Sequence, residues 1–180
     1  IVTTLKGHKN MVFGVAVSAD GHTAVTSGID GTVRVWNTDS GHEKILVRSP
    51  GWNYCVAISP DGKEFVVGGT GYVRAFDLTT GKETWRYKSS RGEIYFKSVN
   101  FDRANHLACA ATNGAVYVWD TSKRELPPRE FIARRKPDGG VLQACCLSRD
   151  GKILALSTKT NYAASSEIEL WDVDRNELLR

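Results

Sequence analysis

The sequence predicts an all-β fold in which one strand-rich unit is used four times. Short runs of alternating apolar residues recur along the chain, and Asp-Gly or Asn-Gly turns separate them. An aromatic residue followed by Asp or Asn closes each group: Trp36-Asn37, Phe76-Asp77, Trp119-Asp120 and Trp171-Asp172. Period-two alternation gives a strand one apolar face, and Asp-Gly supplies the positive φ that a tight hairpin needs. The closing aromatics stand 40, 43 and 52 residues apart, so a chain of 180 residues holds four such units.

Composition bounds the rest. The chain is 41% hydrophobic and 24% charged, which is ordinary for a globular domain. Its formal charge of +4 is too mild for a nucleic-acid signature. The single Met argues against a soft, adaptable groove. Cys55, Cys109, Cys145 and Cys146 form no Cys-x-x-Cys clamp, so no metal is expected and buried free thiols in a reducing, intracellular or cytoplasmic compartment are. Cys145 and Cys146, being adjacent on a strand, point to opposite faces. No apolar run is long enough to span a bilayer as a helix, so no membrane association is expected. Ile1 is not an initiator Met, and more chain is expected before it.

The first unit, GHKNMVFGVAVSADGHTAVTSGIDGTVRVW (7–36), has three strand-like runs, MVFGVAV, TAVTS and TVRVW, with KILVRS as a fourth, outer strand. Periods of 40–45 residues with a terminal Trp-Asp are the signature of stacked four-stranded blades. On these residues the chain resembles the WD-repeat β-propeller family over essentially its whole length. The resemblance implies four four-stranded blades, at about 7–49, 50–90, 91–136 and 137–180, belonging to a ring of about seven. Residues 1–6 would then be an outer strand of a neighbouring blade, and the remaining blades would come from further chain or from a second copy. It also implies a structural network of His8, Thr26, Asp30 and Trp36 that ties the first blade together. In that network the His8 imidazole donates to Asp30 and accepts from Thr26, whose hydroxyl takes the indole N–H of Trp36. Every buried polar group then has a partner.

The second unit, GWNYCVAISPDGKEFVVGGTGYVRAFD (51–77), keeps the strands and loses the network. Val66 or Val67 replaces the hydroxyl, Phe76 replaces Trp, and the turn is one residue shorter without Asp. Its tail, AFDLTTGKETW (75–85), looks like the tryptophan-docking motif of the pyrroloquinoline quinone propeller enzymes. It occurs once, and a polar turn followed by an outer strand ETWRYK accounts for it as well. The third unit has strands near IYFKSVNF, HLACAAT and AVYVWD, with Cys109 at the Ser/Thr position. Pro127-Pro128 belong to a loop or the start of an edge strand, and EFIARR is expected to be the outer strand. The fourth, opening VLQACCLSRDGKILALST, carries five extra residues between its second and third strands, in TKTNYAASS (158–166), and ends on ELLR.

No arrangement for chemistry stands out: His8, His22, His42 and His106 are scattered, no phosphate loop precedes a helix, and no cofactor is expected. The leading expectation is a non-catalytic protein–protein interaction scaffold. By the resemblance, ARRKPDGG (133–140) and TKTNYAASS lie on one face, so that Arg134, Arg135, Lys136, Lys159, Asn161 and Tyr162 form a basic, partly aromatic patch for an acidic protein partner. Trp52 and Tyr54 stand on the same rim, as residue types that dominate interface energetics; packing between blades accounts for them equally well. Two other readings stand beside this one: a quinone-dependent propeller oxidoreductase, and a weak binder of nucleic acid or another polyanion. The last rests on 123–136, where six basic residues face Glu125 and Glu130. The absence of interleaved aromatics weighs against nucleic acid there, and a solvated edge strand explains the charges too.

Overall fold

The computed structural model describes residues 3–49, 51–90, 94–104, 106–132, 141–159 and 166–179. They form four antiparallel sheets of four strands, each a meander with its strands in chain order. The first sheet holds β1 (Val12–Val17), β2 (Thr23–Gly28), β3 (Thr32–Asn37) and β4 (Glu43–Arg48). The second holds β5 (Asn53–Ile58), β6 (Glu64–Gly69), β7 (Tyr72–Asp77) and β8 (Glu83–Lys88). The third holds β9 (Phe96–Phe101), β10 (His106–Ala111), β11 (Ala115–Asp120) and β12 (Arg129–Ile132). The fourth holds β13 (Val141–Leu147), β14 (Ile153–Lys159), β15 (Ser166–Asp172) and β16 (Glu177–Leu178). The sheets fall into two compact units, Ile1–Glu93 and Ile94–Arg180.

Local side-chain chemistry sets the turns. In Ser-x-Asp-Gly the Asp carboxylate takes the Ser hydroxyl, as in Ser59–Asp61 and Ser148–Asp150, both 2.7 Å. Such short-range bonds favour a turn over a continued strand. The β7–β8 turn works alike: Asp77 Oδ1 accepts from Thr79 N–H, Thr80 N–H and the Thr80 hydroxyl, and Gly81 (φ 69°) closes it. Asn37 and Gly41 repeat this after β3, and Asp172 repeats it after β15, with Asn176 (φ 55°) in the glycine's place. Asn tolerates that left-handed conformation. The resemblance of 75–85 to a docking motif is thus matched by a turn that recurs elsewhere in this chain.

In the first unit the core is Val25, Val33, Val35, Val47, Val56, Phe65, Val67 and Phe76, with Phe65 stacked on Phe76 at 5.1 Å between centroids. β1 and β2 pack on β5, and Asn53 Nδ2 donates to Gly28 O at 3.3 Å between the sheets. In the second unit Phe131, Leu142, Leu147, Leu154 and Leu156 build the core. There β9 side chains hold the backbone of β13: Ser98 Oγ accepts from Cys145 N–H at 3.2 Å, and Asn100 Oδ1 accepts from Leu147 N–H at 3.0 Å.

Two differences from the sequence expectations are local. Thr3–Asn10 form no strand; instead Thr3 and Leu5 lie against Gly41, since a strand forms only where an edge offers ladder partners. Cys55, Cys109 and Cys145 are buried free thiols, whereas Cys146 is exposed, because its neighbour takes the inward face. Among the described residues no helix is long and apolar enough to cross a membrane.

Candidate functional site

The first sheet contains a closed side-chain network. His8 Nδ1–H donates to Asp30 Oδ2 at 2.9 Å, the Thr26 hydroxyl donates to His8 Nε2 at 2.8 Å, and Trp36 Nε1–H donates to Thr26 Oγ1 at 2.8 Å. Asp30 also accepts from Lys9 N–H and from the N–H and hydroxyl of Thr32. Burial pushes its carboxyl up, but the hydrogen bonds from Lys9, Thr32 and His8 outweigh this and hold it at about 2. The Thr26 hydroxyl beside His8 is buried and also holds the Trp36 indole, so the network braces the sheet.

The register shows how the other sheets replace it. Trp36, Phe76, Trp119 and Trp171 face Ala24, Phe65, Leu107 and Leu154. The Thr26 position is accordingly Val67, Cys109 and Leu156 in the second, third and fourth sheets. In the second sheet apolar packing of Val67 and Phe76 takes over. In the fourth, Trp171 Nε1–H donates to Glu169 Oε2 at 3.0 Å.

The surface that stands out in the first unit comes from two equivalent β-bulges. The β1–β2 ladder shifts between Val12 and Gly14, and the β5–β6 ladder shifts between Asn53 and Cys55. The residues stepped over are Phe13 and Tyr54. A bulge removes a residue from the ladder and re-aims its side chain. Phe13 and Tyr54 meet at 5.9 Å between centroids, and Trp52 meets Tyr54 edge-on at 6.3 Å. Phe13 and Trp52 are each 54% exposed and Met11 is 63% exposed. Together they form an apolar patch on the surface of the first unit.

Trp52 and Tyr54 thus belong to one cluster, joined by Phe13, which sequence reasoning missed; the exposed Met11 stands two residues before Phe13 in the chain. The signal was faint: the alternation of 11, 13, 15 and 17 was visible, but not which face it serves. Lys159 is the last residue of β14 and pairs with both Val141 and Ser166. Arg134, Arg135, Lys136, Asn161 and Tyr162 lie outside the described residues. Among the described residues no three His, Cys, Asp or Glu side chains group so as to hold a metal ion.

The model of the family "WD domain, G-beta repeat" matches residues 1–37. The "Small ribosomal subunit protein RACK1y" of Oryza sativa is 34% identical over 123 residues, 66% of this chain and 36% of that protein. The "p21-activated protein kinase-interacting protein 1-like" of Gallus gallus is 23% identical over 176 residues, 97% of this chain and 44% of that protein. The solved structure of U3-55K superposes with a TM-score of 0.82 at 16% identity, over 97% of this chain and 53% of that one. The WD40 repeats of RRP9 match with the same score over 52% of theirs. The chain therefore spans about half or less of the proteins it matches, and the latter two likenesses bear on its fold, a WD40 propeller fold. The family's model lies on residues 1–37, and the "WD repeat-containing protein SL1-17" of Schistosoma mansoni is 22% identical over 178 residues, 97% of this chain and 54% of that protein, so the chain is similar to WD-repeat proteins along its length.

Proposed function

We propose that this chain is a protein-interaction scaffold whose first unit binds a partner protein through Met11, Phe13, Trp52 and Tyr54. The observation that carries this is the pair of bulges that turns Phe13 and Tyr54 out of their ladders into one exposed aromatic cluster. Rigid, partly exposed aromatics on a braced sheet are the groups that dominate interface energetics, because little side-chain entropy is lost on contact. The printed names of two relatives, one a ribosomal subunit protein and one a kinase-interacting protein, fit a scaffold role.

The basic residues Arg134, Arg135, Lys136 and Lys159, with Asn161 and Tyr162, are proposed as a second contact, for an acidic stretch of a partner. Support for it is limited to sequence and to the ladder Val141–Lys159–Ser166, which brings together the strand ends flanking 133–140 and 160–165. The outward row Val15 and Val17 on β1 is exposed too, which favours packing of a further propeller sheet against it, from more chain or a second copy. Free cysteines throughout fit a reducing compartment. The test is quantitative affinity capture with wild-type chain, Trp52→Ala and Phe13→Ala. A partner set retained by the wild type and lost from both variants, with unfolding unchanged, supports the reading; equal capture contradicts it.

A further inference from the structure

The turn between β10 and β11, Thr112-Asn113-Gly114, holds the one Asn of the sequence that is followed by Gly. The carboxamide of an Asn is open to attack by the backbone nitrogen of the next residue, and Gly sets no side chain in the way. In that reaction Gly114 N gives up its proton and bonds to Asn113 Cγ. The Cγ–Nδ2 bond breaks, and ammonia leaves with the proton. Water then opens the five-membered succinimide ring. Opening at Cγ gives aspartate; opening at the backbone carbonyl gives isoaspartate, whose main chain runs through the former side chain and is one carbon longer.

The folded turn holds both reacting groups off this path. Gly114 N–H donates to Ala111 O at 3.1 Å, and Asn113 Oδ1 accepts from Ala115 N–H at 3.1 Å. The attacking nitrogen must release its proton and the carboxamide must swing onto it, so ring closure breaks both bonds. Thr112 fixes the turn from the other side, donating its N–H to Tyr95 O at 3.0 Å and accepting from Tyr95 N–H at 3.1 Å. The residues on either side, Ala111, Ala115 and Val116, are buried. Freeing the turn therefore parts the first rungs of the β10–β11 ladder, Ala110–Val116 and Cys109–Tyr117.

The first sheet tells the two products apart. Its β2–β3 turn, Ile29-Asp30-Gly31, has the same length, and Ile29 N–H donates to Met11 O as Thr112 N–H does to Tyr95 O. Asp30 Oδ1 accepts from Thr32 N–H at 3.0 Å, the bond that Asn113 Oδ1 makes with Ala115. Gly31 and Gly114 share the left-handed conformation, at φ 74° and 85°. Aspartate thus fits this turn with no change of backbone. Isoaspartate lengthens the chain between two paired strands, and a slipped register misplaces every side chain beyond it. Tyr117 lies there, packed between Phe96 and Trp119 at 5.8 and 6.0 Å between centroids.

We propose that Asn113 is a deamidation site that reacts only when the third sheet opens, and that its isoaspartate product keeps the sheet from re-forming. A chain that has opened is marked covalently, while a folded chain is spared. The site is separate from the aromatic cluster of the first unit and does not depend on it.

The experiment incubates the full chain in mildly alkaline buffer, with and without urea. Peptide mapping by chromatography and mass spectrometry follows residue 113, resolving the amide, aspartyl and isoaspartyl forms. The urea is then removed, and thermal unfolding is measured on the products and on Asn113→Asp. The expected result is conversion at 113 about tenfold or more slower in the folded chain, as for a reaction that waits on local opening. Isoaspartyl chains should fail to regain the wild-type transition, and Asn113→Asp should show it. Equal rates with and without urea, no conversion at 113 in urea, or isoaspartyl chains that refold as the wild type does overturn the proposal. Asn113→Asp as unstable as the isoaspartyl chain also overturns it, since the new charge and not the longer main chain is then the cause.

Discussion

Trp171 and Glu169, two residues apart on β15, are joined by a hydrogen bond of 3.0 Å from the indole N–H to the carboxylate. The facing strand supplies Leu156 where the first sheet supplies Thr26, so the indole draws its acceptor from its own strand. Glu169 is buried, and removing its oxygen strands a donor that water reaches poorly. Glu169→Leu is expected to cost about 1–3 kcal/mol, and Glu169→Gln, which keeps a carbonyl acceptor, clearly less. Urea unfolding of the variants measures both.

Thr26 satisfies two partners at once, the indole of Trp36 and the imidazole of His8. Thr26→Val leaves both unpaired in a place where Trp36 is only 2% exposed, for an expected loss of about 1–3 kcal/mol. The second sheet already carries Val67 and Phe76 at these positions. Thr26→Val combined with Trp36→Phe should therefore lose less than the two single changes added together. A double-mutant cycle reads this coupling directly; strict additivity would show that Thr26 and Trp36 are not coupled.

Acid should loosen the first sheet at a defined point. The Asp30 carboxyl falls from 3.8 to about 2 in the folded chain. A depressed carboxyl stabilises fully above its unfolded value, and that contribution is lost as pH falls through the folded value. Stability carried by Asp30 is thus expected to drain away from about pH 4 to about pH 2. Unfolding curves of Asp30→Asn, less stable near neutrality, should converge toward the wild type across that window.

Gly14 packs β1 against the second sheet. A β-carbon there would collide with Ser27 Oγ and fall 2.9 Å from Val56 N, and the backbone atom has no freedom to withdraw. Gly14→Ala is expected to lower stability by about 1–3 kcal/mol. Gly21→Ala meets no such atom, though its φ of 77° adds strain of its own, so the comparison separates crowding from backbone conformation.

Strands and turns were legible because their causes are local. Alternation places side chains by itself, and Ser-x-Asp-Gly folds on its own hydrogen bonds. The hydroxyl replacements at Val67 and Cys109 could also be read by aligning units. The outward placement of Phe13 could not, because a bulge is a ladder event with no residue signature of its own. Glu169 escaped for a related reason: in an alternating strand an acidic residue reads as solvated, and nothing local marks it as an indole's acceptor. The Asp102–His106 pair, 2.6 Å apart, replaces the Ser-x-Asp-Gly turn in the third sheet. It was hidden because no other unit of the chain uses that pairing.

The scaffold reading rests on the exposed aromatics of the first unit, and one measurement tests it most directly. Affinity capture followed by quantitative mass spectrometry would compare wild-type chain, Trp52→Ala, Phe13→Ala and, as a control on the outer strand, Leu46→Ala. The expected result is a partner set shared by the wild type and Leu46→Ala and depleted at least tenfold with both aromatic variants, a loss in keeping with truncation of an interface anchor. An identical partner set from all four proteins would contradict the account.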